Sequence, residues 1–260
     1  MKWIFLSLVL SEPCLSFAYA SPEIKLCYED VTVFPWIIGD TGGLVISELH
    51  MVEKRLNIKF NLIRLPWKRC QTEAQAGNFD GIIAASYTQD REEWGIYPTQ
   101  NDLTIERDYR LHTDAFYVYI RKDSSIKWVN KQLINLKEQP VGVQLGYSVG
   151  KDLEKAGYSI HASLTTAYDI LKEMDFNTLK VAVLQNYEST KTLNEHPKLK
   201  QNIIRLKEPY KVADQYLLFT KDFYGKNKDL SKSIWRTIPK ARNSREYLKA
   251  QKSLMALLDN

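Results

Sequence analysis

Short apolar runs bounded by polar turns alternate with segments of helical period along most of this chain. Ile24–Tyr28, Lys59–Leu65 and Ile82–Ala85 read as strands. Between the first two, Leu44, Val45, Leu49, Val52 and Leu56 recur at the spacing of an amphipathic helix over Gly43–Leu56. Leu65-Pro66-Trp67-Lys68-Arg69 ends a strand and opens a second helix, which includes Gln71–Ala76 and is closed by Gly77-Asn78-Phe79-Asp80. A longer β-rich run covers Ala115–Arg121. A second set follows, with strands at Val141–Gln144, Ser159–Ala162 and Val181–Leu184 and helices around Lys151–Ala156 and Thr165–Met174. The chain then returns through a strand at Gln215–Thr220 and ends in helices from Leu230 and near Asn243–Leu258. Strands alternating with helices predict an open α/β sheet, and two such sets with a returning strand predict two lobes facing a cleft.

The polar hexapeptide Ser86-Tyr87-Thr88-Gln89-Asp90-Arg91 follows the third strand directly. Ligands of open α/β sheets sit outside the carboxyl ends of the strands, so this loop is where a site is expected. One arginine among hydroxyl groups suits a small anion. The bland alternative is a solvated Arg91 paired with Glu92 or Glu93.

The first residues bear on the compartment. Lys2, the apolar stretch Trp3–Leu10 and the small-x-small run Ala18-Tyr19-Ala20 read as a removable secretory signal over residues 1–20. A retained anchor is the alternative, although Glu12 and Pro13 interrupt the apolar stretch. Cys14 lacks the small and apolar neighbours of a lipid-attachment site. The expectation is a soluble exported protein, periplasmic in a Gram-negative cell. Residues 21–260 then keep Cys27 and Cys70, which either form a disulfide or stay as buried thiols. His50, His112, His161 and His196 are scattered, with none at metal-ligand spacing, so no metal or cofactor is expected. A net charge of +5 with both signs interspersed speaks for solubility rather than nucleic-acid binding.

Four motifs carry a resemblance. Trp67, Gly77 and Asp80 form a Trp-x(9)-Gly-x-x-Asp run, Thr88 and Arg91 a Thr-x-x-Arg, and Val141 to Gly146 a Val-Gly-Val-x-x-Gly. The returning strand ends in Thr220-Lys221-Asp222. In this order and spacing the chain is similar to the family 3 solute-binding proteins, the amino-acid type of periplasmic binding protein associated with ABC transporters. The Pro-Trp-Lys-Arg run resembles a divergent group within it. The resemblance implies a type II fold of two lobes that hinge shut on a ligand: lobe 1 from residues 21–112 and 213–260, lobe 2 from residues 113–212. It also implies a ligand carboxylate clamped by Arg91, with Ser86 and Thr88 adding donors and Trp67 and Trp36 forming aromatic walls. On lobe 2, Tyr147 and Ser148 open a helix whose free N–H groups face the same carboxylate. Implied partners are a small-molecule ligand and a transporter permease or membrane sensor, with the protein itself a monomer.

One departure bears on the ligand. Amino-acid binders of this family place an aspartate after the strand matching Val181–Leu184, where it holds the ligand ammonium, and here the residues are Gln185-Asn186-Tyr187. An amide supplies no countercharge. Glu188, Glu29 or Asp30 could take the role. Two other functions stay open: a cyclohexadienyl-dehydratase-like enzyme on the same fold, which needs a general acid or base in the cleft, and a structural or adhesive exported protein. No Ser-His-Asp spacing, phosphate loop or metal cluster favours an enzyme.

Overall fold

The computed structural model describes residues 23–100 and 104–258. The signal segment read from residues 1–20 lies outside the described residues. The first set of elements is β1 (Glu23–Glu29), α1 (Leu44–Leu56), β2 (Lys59–Leu65), α2 (Trp67–Gln75) and β3 (Gly81–Ser86). Short strands β4 (Gly95–Ile96), β5 (Thr99–Gln100) and β6 (Thr104–Ile105) lead to the long β7 (His112–Arg121). A small hairpin, β8 (Lys127–Val129) and β9 (Gln132–Ile134), precedes the second set: β10 (Val141–Gln144), α3 (Ser148–Lys155), β11 (Ile160–Leu164), α4 (Ala167–Asp175) and β12 (Val181–Gln185). Helices α5 (Asn186–Glu195) and α6 (Pro197–Asn202) then feed β13 (Ile203–Thr220), and α7 (Lys221–Lys226), α8 (Lys228–Arg242) and α9 (Arg245–Met255) follow.

The expected α/β alternation is present, but the strands join one continuous sheet in the order β11-β10-β12-β7-β13-β3-β1-β2. β1 pairs in parallel with β2 and β3, and β10 with β11 and β12. β7 and β13 run antiparallel to each other and to these sets, and join them edge to edge. The two sets have the same internal order, with the second strand outermost and the first between the second and third.

Each side has its own apolar interior. On one, α1 buries Leu44, Val45, Leu49 and Val52 against Ile234, Trp235, Ile238 and Ala241 of α8, beneath β1. Trp235 Nε1 donates to Leu217 O at 2.8 Å, which satisfies the one polar atom of that buried ring. On the other side, β10 and β12 are buried at every position. That is why they read as continuous apolar runs rather than alternating ones. Cys27 on β1 and Cys70 on α2 are bonded, with Cα atoms 5.7 Å apart. Closing a 43-residue separation stabilises the fold by about 4 kcal/mol on the chain-entropy account.

β13 begins at Ile203, twelve residues before the expected Gln215. Its first half is mostly exposed and its ladder with β7 is irregular between Arg205 and Lys211. Pro209 removes one donor there, so that stretch carries little strand signal.

Candidate functional site

The carboxyl ends of β1, β3 and β12 and the start of α3 converge on one cavity, with β7 and β13 forming its floor. Its walls include Glu29, Trp36, Trp67, Ser86, Arg91, His112, Phe116, Tyr147, Ser148, Gln185 and Gln215, and its volume is about 40 Å³. Seven of the eight binding residues expected from the sequence therefore meet at one place. Thr88 does not: it lines a second cavity of about 200 Å³ between α2 and α3, which shares Arg91, Tyr147 and Ser148 with the first. The chain turns at Thr88, whose carbonyl accepts from Arg91 N at 3.1 Å, so that Arg91 folds back to the first cavity while Thr88 stays at the second.

Arg91 sits in the 3-10 turn Gln89–Glu93 and is only 3% exposed. It does not pair with Glu92 or Glu93. Its Nη1 donates to Ser86 O at 2.7 Å and its Nη2 to Gln71 Oε1 at 3.0 Å, and its guanidinium lies 5.4 Å from the centre of the Trp67 ring. Both hydrogen-bond partners are neutral, and among the described residues no ion pair involves Arg91. A guanidinium carries five N–H donors, so donors remain for another acceptor.

Trp67 opens α2 and donates from Nε1 to Gly146 O across the cleft at 3.2 Å. Ser86 Oγ donates to Ser148 Oγ at 2.7 Å, and Lys151 of α3 pairs with Asp90. Trp36 is held by the turn after β1. Gly43 makes that turn possible: its φ is +101°, and a Cβ there would lie 2.3 Å from Trp36 O. Ala84 also has a positive φ, +60°, where the β3–β13 register slips, and it lines the cavity just before Ser86.

Three acids in this part of the fold are buried: Glu29, Asp114 and Glu188. Glu29, the last residue of β1, accepts from Tyr147 Oη at 2.7 Å. Burial pushes its carboxyl well above the usual range, Glu188 and Asp30 add to that, and the Tyr147 hydrogen bond opposes it. Asp114 accepts from Trp36 Nε1 at 3.2 Å and Ala115 N at 2.7 Å, and burial raises it to about 7. Glu188 accepts from Gln144 Nε2 at 3.1 Å and Ala167 N at 3.0 Å and is likewise raised by burial to about 7. It does not line the cavity. Asp30 is exposed and does not line the cavity. Of the three acids considered as replacements for the missing aspartate, only Glu29 reaches the cavity. Gln185 does reach it, 5% exposed, with Oε1 lacking a hydrogen-bond partner. His112 stacks on Trp36 with ring centres 3.9 Å apart, and burial, with Arg242 adding to it, lowers it to about 3, so it is a neutral ring near pH 7.

His112, Asp114 and Phe116 were not anticipated from the sequence. A signal was there: buried positions alternate along β7 from His112 through Asp114, Phe116 and Val118. Two polar residues at the start of that inward row mark where the core gives way to a lined cavity.

No protein-family model matches the chain, and no curated protein matches it in sequence. Solved structures do match. One is a histidine kinase sensor domain with similarity to periplasmic binding proteins, at 12% identity, 90% of this chain, 96% of that chain and a TM-score of 0.72. Another is the arginine-, lysine-, histidine-binding protein ArtJ from Geobacillus stearothermophilus, at 14% identity, coverage of 90% and 95% and a TM-score of 0.68. A third is a Salmonella typhimurium periplasmic binding protein described for its high arginine specificity, at 16% identity, coverage of 90% and 99% and a TM-score of 0.67. At such identities the likeness speaks to architecture, and the fold of this chain is that of the periplasmic binding proteins, type II.

Proposed function

We propose that this chain is an exported solute-binding protein that captures a small amino carboxylate between two lobes, residues 21–112 with 213–260 and residues 113–212. The observation that carries this reading is Arg91, a buried guanidinium with only neutral partners, lining the same cavity as the buried carboxyl of Glu29. A lone buried charge is costly, and a ligand carboxylate offsets that cost. Glu29 and the free amide oxygen of Gln185 supply the complementary end: an ammonium donates to both, and Glu29 brings the countercharge that Gln185 lacks. Ser148 and the start of α3 add donors to the carboxylate end. The named binding proteins of the same fold, and the sensor domain, support handing the ligand to a permease or a membrane sensor. The signal-like residues 1–20 support a periplasmic location.

A second reading has one observation in its favour. Glu29, whose carboxyl burial pushes well above its usual range and which accepts from Tyr147, would serve as a general acid. In a dehydratase it would give its proton to a departing hydroxyl group, which leaves as water while the neighbouring carbon loses a proton or its carboxylate as carbon dioxide to form the new double bond.

A thermal-shift screen of the mature protein against amino acids, polyamines and small organic acids separates these. Ligand at a hundred times its Kd adds about 2.7 kcal/mol, or roughly 5–10 °C in Tm for a chain of this size. Stabilisation by molecules with a free carboxylate, recovered unchanged, is the expected result. Stabilisation by carboxylate-free cations alone would remove Arg91 from the site, and turnover of a stabilising acid would favour the dehydratase.

A further inference from the structure

The cavity is small because the chain fills part of the cleft itself. Tyr147, the residue before α3, reaches across to Glu29, and its ring meets Phe116 edge to face with centres 6.5 Å apart. It packs against the apolar clusters of both sides. The turn that carries it is clamped: Gly146 O accepts from both Trp67 Nε1 and Gln71 Nε2, at 3.2 and 3.3 Å. A Cβ on Gly146, whose φ is +79°, would meet Gln71 Nε2 at 3.1 Å and Trp67 Cδ1 at 3.3 Å. The backbone that carries Tyr147 is thus pinned while the two sides stay together. About 40 Å³ remains beside it, against about 10–15 Å³ needed for one water, which is room for a few heavy atoms.

We propose that Tyr147 is a specificity-determining residue that limits the ligand to short-chain amino carboxylates, of the size of glycine or alanine. It does so in two ways. Its ring takes the volume a longer side chain needs, and its hydroxyl occupies one oxygen of Glu29, which leaves the other for the ligand's α-ammonium and none for a second, distal cation. Two of the structures that share this fold are described as arginine binders; by this inference the present chain excludes arginine. The inference rests on the amino-carboxylate reading given above.

The test is calorimetric titration of the mature protein, Tyr147→Phe and Tyr147→Ala with glycine, alanine, lysine and arginine, each protein first shown to be folded by circular dichroism. Wild type is expected to bind glycine or alanine at least about tenfold tighter than lysine or arginine. Tyr147→Ala is expected to gain lysine or arginine affinity by about tenfold or more. Tyr147→Phe, which keeps the ring, retains the preference for short ligands. Arginine binding to wild type as tightly as glycine, with no change in Tyr147→Ala, overturns the filter and leaves the binding function intact. If none of the three folded proteins binds any of the four ligands, the amino-carboxylate reading itself fails and takes the filter with it. Should Tyr147→Ala not fold, the order of affinities in wild type and Tyr147→Phe decides alone.

Discussion

Arg91→Ala is expected to weaken binding of a carboxylate ligand by about 30-fold to several thousand-fold, the equivalent of roughly 2–5 kcal/mol for truncating one partner of a buried charge pair. The effect should fall on binding and spare the fold. Without ligand, Arg91 contributes hydrogen bonds to Ser86 O and Gln71 Oε1 but bears the desolvation of a buried cation with neutral partners. Its removal thus offsets a loss with a gain. Calorimetry measures the first effect and a melting curve of the ligand-free protein the second. A variant that binds as wild type does would show that the guanidinium is structural, and a variant that melts far below wild type would show that binding and folding are not separable at this residue.

The second large effect concerns pH. Asp114 and Glu188 are raised by burial from ordinary carboxylate values to about 7, so between about pH 4 and 7 the folded protein holds protons that the unfolded chain has released. Stability from these two groups is greatest in acid and falls as pH rises through about 7. Glu29 shifts in the same direction. His112 acts oppositely: lowered to about 3, it costs stability as pH falls from its ordinary 6.5 range toward 3. The acids outnumber the histidine, so the ligand-free protein should melt higher at pH 5 than at pH 8. A shift of three units on one fully buried carboxyl corresponds to about 4 kcal/mol at most. Asp114→Asn with Glu188→Gln should flatten or invert this slope. A wild-type Tm that climbs steadily from pH 5 to 8 would rule out the acids as its cause. An ammonium ligand reverses the preference, because it favours the ionised form of Glu29; its affinity should rise with pH and its binding should release protons, seen as a dependence of the calorimetric heat on buffer.

Much of this was legible because the buried strands and α1 announce themselves. β3, β10 and β12 have little or no exposed face, and the apolar row of α1 has helical period. The site residues follow from the ends of those strands: Ser86 closes β3, Gln185 closes β12, and Tyr147 with Ser148 opens α3. What was not legible depends on partners distant in sequence. α5 has few apolar residues and owes its placement to buried Glu188, Ser189 and Leu193. The first half of β13 lacks a buried row. Asp114 matters only because Trp36, 78 residues away, donates to it. Likewise, spacing alone does not show that the parallel pairing of β1 with β2, followed by the turn into α2, returns Cys70 to Cys27.

The bonds between the two sides have a kinetic consequence. Ser86 to Ser148, Tyr147 to Glu29, Trp67 to Gly146 and Lys151 to Asp90 all tie one side of the fold to the other. On the solute-binding reading proposed above, those bonds must part before a solute can enter between the two sides. Arrival would then be timed by the protein and not by diffusion: the expected rate of capture rises with solute concentration only until it meets the rate of opening, and there it levels off.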